Sequence, residues 1–202
     1  MSHFPQTPDA AIAELLAGNQ RYVTNNSRSE NPPSARPELA AGQAPFASFI
    51  RCADSRVAPE IVFDQPLGAL FVNAVAGNIV TSEIIASLEY SVAILGSRLI
   101  VIMGHSGCGA VQAAIQNRDD PGRLPGSLPG LIAQIIDPCT LDANPDAVDE
   151  HIADAVVCNA NKGVEQLMLG SPVLSEAVGE GKLKIIAGVQ DIETGTFTIT
   201  KQ

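Results

Sequence analysis

The sequence predicts an α/β fold: a mainly parallel central sheet of about four parallel strands plus an antiparallel edge strand, flanked by helices, with an N-terminal helical arm. Three observations carry this. The runs "FASFI", "ALFVNAV" and "RLIVI" are short, apolar and rich in strand-forming residues, as buried strands are. The helix-patterned stretch "TSEIIASLEYSVAILG" lies between the second and third of them, and a strand, a helix and a strand in that order need a crossover that leaves the strands parallel. The closing "KLKIIAGVQDIETGTFTIT" is two β-prone runs around a polar turn, which reads as an antiparallel hairpin finishing the sheet. A chain of 202 residues suits one such domain. Residues 1–45 read as a helix and extended arm belonging to that domain, and residues 46–202 as its core.

Each element has a local reason. Thr7 caps the first helix, Pro8 takes its first position and Asp9 its first turn; Ile12, Leu15, Leu16 and Asn19 then recur at helical spacing. From Thr24 to Pro45 the chain is polar and Pro-rich, an extended arm of the kind that packs on a neighbouring subunit, with a short helix at "RPELAAG". Phe46 to Ile50 form a strand that ends at "RCADSRV". After the second strand, Thr81 or Ser82 caps the crossover helix, Glu83 sits in its first turn and Gly96 marks its end. "RLIVIMG" is the central strand and "GCGAVQAAIQ" opens another helix. "RDDPGRLPGSLPG" is a loop by its Pro and Gly content, "LIAQIID" a short helix, "DPCTLDANPD" a second loop, and a long helix runs from about Asp146 to Leu169.

Composition excludes several classes of function. A net charge of −10, with only 12 Lys and Arg scattered along the chain, does not suit a nucleic-acid partner. No segment approaches the roughly 20 apolar residues of a membrane span. The N-terminal "MSHFPQTPDAAIAELLAG" lacks a basic segment followed by a continuous apolar one, so a cytoplasmic location is expected. The 4 cysteines are too sparse for a disulfide framework, and Cys139 and Cys158 read as buried thiols.

The chemistry concentrates in two short stretches. "GHSGCGA" fits a phosphate cradle poorly: it lacks the Lys-Ser/Thr of a nucleotide-binding loop and the glycine spacing of a dinucleotide fingerprint. As a metal half-site it is better, since His105 and Cys108 sit at a strand's carboxyl end and Cys108 lies at a helix N-terminus that favours a thiolate. Alone, a tight turn with a buried thiol explains it equally well. "CADSRV" changes the balance because Cys52 also follows a buried strand. Two neighbouring parallel strands bring Cys52, His105 and Cys108 to one point, a soft Cys₂His set suited to Zn²⁺ with a fourth position open. An open position marks a catalytic zinc. Asp54 can then take that position or accept a hydrogen bond beside it, and Arg56 can hold Asp54 off the metal in a bidentate pair.

With both motifs in hand the chain resembles the β-class carbonic anhydrases, whose hallmarks are C-x-D-x-R followed later by H-x-x-C. Further segments in family order include "AGQAPFASFIRCADSRVAPEIVFDQ", "VAGNIV", "SLEYSVAILG" and "KLKIIAGVQDIETG", so the resemblance covers nearly the whole chain. It implies hydration of CO₂ to bicarbonate and a proton at zinc on Cys52, His105 and Cys108, with Asp54 and Arg56 catalytic. It also implies a homodimer or homotetramer. Gln65, near a position where some members bind substrate, and Gly109 are the substrate-binding candidates. Carbonyl sulfide or carbon disulfide hydrolysis on the same zinc, or a non-catalytic zinc protein, are the alternatives. His3 and His151 are the other histidines, and neither is placed near the zinc. The chain departs from the family at Ala69 and Ala74, where members commonly carry an acidic residue and an arginine.

Overall fold

A computed structural model describes residues 4–202. Its core is one 5-stranded sheet in the order β2-β1-β3-β4-β5. The strands are β1 (Ala47–Arg51), β2 (Leu70–Ala74), β3 (Leu99–His105), β4 (Lys184–Gln190) and β5 (Phe197–Lys201). β1 pairs in parallel with β2 and β3, β3 in parallel with β4, and β5 closes the edge antiparallel to β4. The expected four parallel strands and one antiparallel edge strand are therefore what the chain forms.

β3 shows why the sheet sits where it does. It is buried along its whole length, and its side chains alternate between two cores, as strand geometry requires. Leu99, Val101 and Met103 join one core with Phe49, Phe63 and Val111, while Ile100 and Ile102 join the other with Leu88, Leu167 and Leu174. The first core is completed by α1 (Pro8–Val23), α3 (Pro59–Val62), α5 (Gly109–Gln116) and α6 (Leu128–Cys139). The second is completed by α4 (Ser82–Ala93), α7 (Val148–Gly170) and α8 (Pro172–Gly179). The arm carries the short α2 (Arg36–Ala41), which buries none of its residues.

The caps read from the sequence are in place: Thr7 accepts from the Ala10 N–H and Thr81, rather than Ser82, from that of Ile84. Asn19, counted among the repeating positions of α1, is a buried connector. Its amide donates to the carbonyls of Val62 and Gly195 and its oxygen accepts from the Phe197 N–H, fixing α1 to α3 and to the β4–β5 turn.

The arm is tied to its own chain at its first half. The Asp64 carboxylate accepts from the backbone N–H groups of Arg28 and Ser29 and from Arg21 Nε, and Leu67 N–H donates to Asn31. Burial works to raise the Asp64 pKa, but Arg21 and the two backbone donors overcome it, and the carboxyl ends below its ordinary value. A depressed carboxyl stabilises above its unfolded pKa of about 3.9, and that contribution disappears as pH falls through the folded value. Asp64→Asn is expected to cost about 2 kcal/mol at pH 7 and progressively less as pH falls below the unfolded pKa of about 3.9, read as a Tm gap between the two proteins that narrows on acidification.

Three expectations need correction. α6 begins at Leu128, inside what reads as a loop, because Pro129 in its first turn suits a helix start, and it runs on to Cys139 rather than stopping at Asp137. α8 was not expected at all, though Ser171 followed by Pro172 is a cap and first-turn signal. Cys139 and Cys158 are not free thiols: the end of α6 meets the middle of α7 and the two form a disulfide. It closes a segment of sequence separation 19, for which the loss of unfolded-chain entropy is worth about 3 kcal/mol. Cys158→Ala should therefore lower the Tm of the oxidised protein by about 6–12 °C, while dithiol treatment does the same to the parent and nothing further to the variant.

Candidate metal centre

The strand order places a site at a predictable position. From β1 the chain passes to β2 on one side, and β3 is followed by β4 on the other, so the connections diverge between the carboxyl ends of β1 and β3. Open α/β sheets bind ligands at such a switch point. Arg51 and Met103 are register neighbours there. Cys52 is the next residue after β1, and His105 ends β3.

Beyond His105 the chain turns sharply enough to bring Cys108 back. Gly107 takes φ +63°, a left-handed conformation that glycine accepts without strain. Cys108 is then the N-cap of α5, and Gly109, the other small residue singled out, is its first residue. The result is a cluster in which one donor atom from each of Cys52, His105 and Cys108 lies within 4.8 Å of the others, all three residues being buried. The two sulfurs are 3.9 Å apart, close to the roughly 3.8 Å that two 2.3 Å bonds to one tetrahedral zinc require.

The protonation of the cluster also fits a cation. The Cys108 thiol donates to Cys52 and pulls its pKa down to about 4 against the effect of burial; His105 and the N–H groups of Gly77 and Asp54 add to the pull. The same shared bond, with burial, pushes the Cys108 thiol up. A dication in place of the shared proton satisfies both sulfurs as anions. His105 Nδ1 lies 3.0 Å from the Ser106 carbonyl, and a ring that donates there leaves its Nε2 lone pair free. That Nε2 is buried and has no hydrogen-bond partner in the protein, a costly arrangement that a metal ligand explains. Ser106 is itself fixed, donating its N–H to the Gln190 carbonyl and accepting from the Ile192 N–H.

Asp54 stands beside this cluster and is held by Arg56. Nε and Nη2 of Arg56 reach the two carboxylate oxygens at 2.9 and 2.7 Å, and the Arg56 backbone N–H adds a third bond at 3.0 Å. The guanidinium keeps the Asp54 carboxyl well below the usual carboxylate range. Asp54 Oδ2 is 3.9 Å from His105 Nε2, so the carboxylate borders the donor cluster while remaining in its bidentate pair.

The remaining candidates separate from the site. Gln65 is buried, and its amide donates to Glu14 and to the Phe63 carbonyl, on the α1 and α3 side. His151 lies on α7 and outside the cluster, the one group of three such ligands among the described residues; His3 lies outside the described residues. Ala69 is buried just before β2 and Ala74 is exposed at its end.

Sequence reasoning missed the turn that supports Cys52. Gly77, at φ +73°, donates its N–H to Cys52 Sγ at 3.3 Å, and Asn159 of α7 holds the Gly77 carbonyl at 2.8 Å. A side chain at Gly77 would meet Ile135 and Ala110. "VAGN" carried the signal, a glycine between small residues just past a strand, but only folding shows that its N–H reaches a sulfur.

Residues 47–197 match the family model described as carbonic anhydrase. The chain is 37% identical over 191 residues to carbonic anhydrase 2 of Mycobacterium tuberculosis, covering 93% of this chain and 90% of that one. Among solved structures it is similar to one of two tetrameric β-carbonic anhydrases from Sordaria macrospora, with a TM-score of 0.70, 29% identity and 95% of each chain covered. A Coccomyxa β-carbonic anhydrase in complex with acetazolamide superposes with a TM-score of 0.71 at 26% identity, over 93% of this chain and 85% of that one.

Proposed function

The chain belongs to the β-class carbonic anhydrase family, and from that premise we propose that it is a zinc enzyme catalysing the reversible hydration of carbon dioxide to bicarbonate and a proton. Cys52, His105 and Cys108 are the proposed ligands, and Asp54 and Arg56 the catalytic pair. The observation that carries the reading is a convergent Cys₂His donor set whose neighbouring carboxylate is engaged by an arginine. That leaves three protein donors, the number found in catalytic rather than structural zinc sites.

Zinc, when bound, acts as a Lewis acid that makes water nucleophilic near neutral pH. The chain's own residues do the rest. Cys52 and Cys108 together supply two negative charges to balance a dication, and the Ser106 carbonyl orients His105 so that Nε2 faces the same point. Asp54, ionised throughout the neutral range, can only accept; its carboxylate would accept a hydrogen bond from the attacking water and so direct the oxygen lone pair towards carbon. Arg56 keeps that carboxylate from becoming a fourth ligand. The first turn of α5, beginning at Gly109, turns the N–H groups of Ala110 and Val111 towards the Cys108 sulfur, which favours its thiolate.

Stopped-flow CO₂ hydration tests the proposal directly. Zinc-loaded protein should give a rate that chelation removes and zinc restores; no zinc-dependent rate from neutral to alkaline pH overturns it. Turnover of carbonyl sulfide without CO₂ turnover would establish the alternative substrate, which no feature of the site favours. Self-association as a homodimer or homotetramer belongs to the same reading. It is supported by the tetrameric Sordaria relative and by Ile61, Leu67, Ile94 and Leu169, all left exposed. Light scattering should show a dimer or tetramer, and a monomer at micromolar concentration contradicts it. No described helix is long and apolar enough to cross a membrane. The cytoplasmic location remains a proposal, under which the Cys139–Cys158 pair is expected to be kept reduced.

A further inference from the structure

Arg51 is the residue before Cys52, the first of the proposed ligands, and its charged side chain is half-buried at the end of an otherwise buried strand. Its Nη1 donates back to the Cys52 carbonyl at 2.7 Å and lies 3.4 Å from that of Asp54. Its Nε is buried without a partner, an unfavourable burial that must be offset by what the rest of the guanidinium does. In register beside it on β2 stands Ala74.

The loop from Cys52 to Arg56 has other supports. The Ala53 N–H donates to the Val75 carbonyl, the Val57 N–H lies 3.4 Å from the Asp54 carbonyl, the N–H groups of Gly77 and Asp54 face the Cys52 sulfur, and Arg56 holds the Asp54 side chain. None of these ties the Asp54 carbonyl to that of Cys52. Arg51 reaches the backbone at Asp54 and at the ligand Cys52. Asp54 thus lies between two guanidiniums, one on its main chain and one on its carboxylate.

We propose that Arg51 is a positioning residue for the hydration reaction: by bonding the Cys52 and Asp54 carbonyls it fixes the backbone from which Asp54 projects, and so keeps that carboxylate beside the metal rather than on it. The inference rests on the carbonic anhydrase reading above. Without Arg51 the loop gains freedom, and the carboxylate 3.9 Å from His105 Nε2 has a short path to the open position.

The test uses the full chain, with Arg51→Met removing the donors at similar length and Arg51→Lys keeping the charge and one donor site. Hydrogen exchange on metal-free protein reads the loop without any activity. In Arg51→Met the amides of residues 53–57 should exchange about tenfold faster or more, while those of β3 stay unchanged. In zinc-loaded protein, Arg51→Met should keep one zinc per chain and lose kcat by about 10- to 100-fold, the usual range for residues that orient a metal site, with KM little changed. Arg51→Lys should recover part of that loss. Wild-type kcat in Arg51→Met, unchanged loop exchange, a loss that tracks zinc content, or a Lys variant as poor as the Met variant would each overturn the assignment. If the zinc-loaded parent itself fails to hydrate CO₂, the carbonic anhydrase reading falls; the exchange result still stands or fails on its own.

Discussion

Cys52→Ser is expected to leave a folded chain that no longer holds stoichiometric zinc and whose CO₂ hydration falls by about a thousandfold or more, towards the uncatalysed rate. The substitution changes little in volume, and Cys52 lies at the end of β1, so the two cores on either side of β3 persist. What is lost is charge. A serine hydroxyl stays neutral where the Cys52 thiol, its pKa pulled down by the Cys108 thiol beside it, ionises far more readily, and zinc prefers a soft thiolate to a neutral hydroxyl. The Gly77 N–H also loses the sulfur it donates to. Elemental analysis after dialysis, paired with stopped-flow rates, checks this. Cys158→Ala is the control: it breaks the disulfide but removes none of the proposed ligands, and should lower the Tm while leaving zinc in place. One zinc per chain in Cys52→Ser contradicts the ligand assignment.

Asp54→Asn should separate catalysis from metal binding, keeping zinc while losing about 10²–10³ in kcat. An asparagine has the same shape but turns one acceptor oxygen into a donor and gives up the charge that Arg56 grips with two bonds. Two consequences follow: the hydrogen-accepting group beside the metal is weakened, and Arg56 is released into solvent, to which it is already 56% exposed. Arg56→Lys should be milder on charge but still costly, because an ammonium cannot reproduce the fork-on-fork pair. An Asp54→Asn protein with parental kcat would show that the carboxylate is a bystander to the chemistry.

Much of the fold was legible because its signals are local. Thr7-Pro8-Asp9, Thr81 and the β-prone run from Leu99 each depend on a few adjacent residues, and the structure uses them as they read. Where expectation failed, the deciding contact was distant. "DPCTLDANPD" looks like a loop because Pro and Gly-like breakers dominate it, yet helix α6 enters it as far as Cys139, where the chain meets Cys158 of α7.

The donor residues show the same division. By itself the sequence determined the chemical types present and their strand-end positions: Cys52, Asp54 and Arg56 after one buried strand, His105 and Cys108 after another. Motif spacing and strand periodicity are properties of neighbouring residues, so they survive in one dimension. Only the tertiary structure decided that Asp54 is paired with Arg56, that Gly77 and Asn159 support the Cys52 sulfur, and that Arg51 folds back over its own loop. Those outcomes depend on sheet register and on helix α7 packing along β3 and β4. Such contacts join residues far apart in the chain, and their geometry is set by packing that no local pattern encodes.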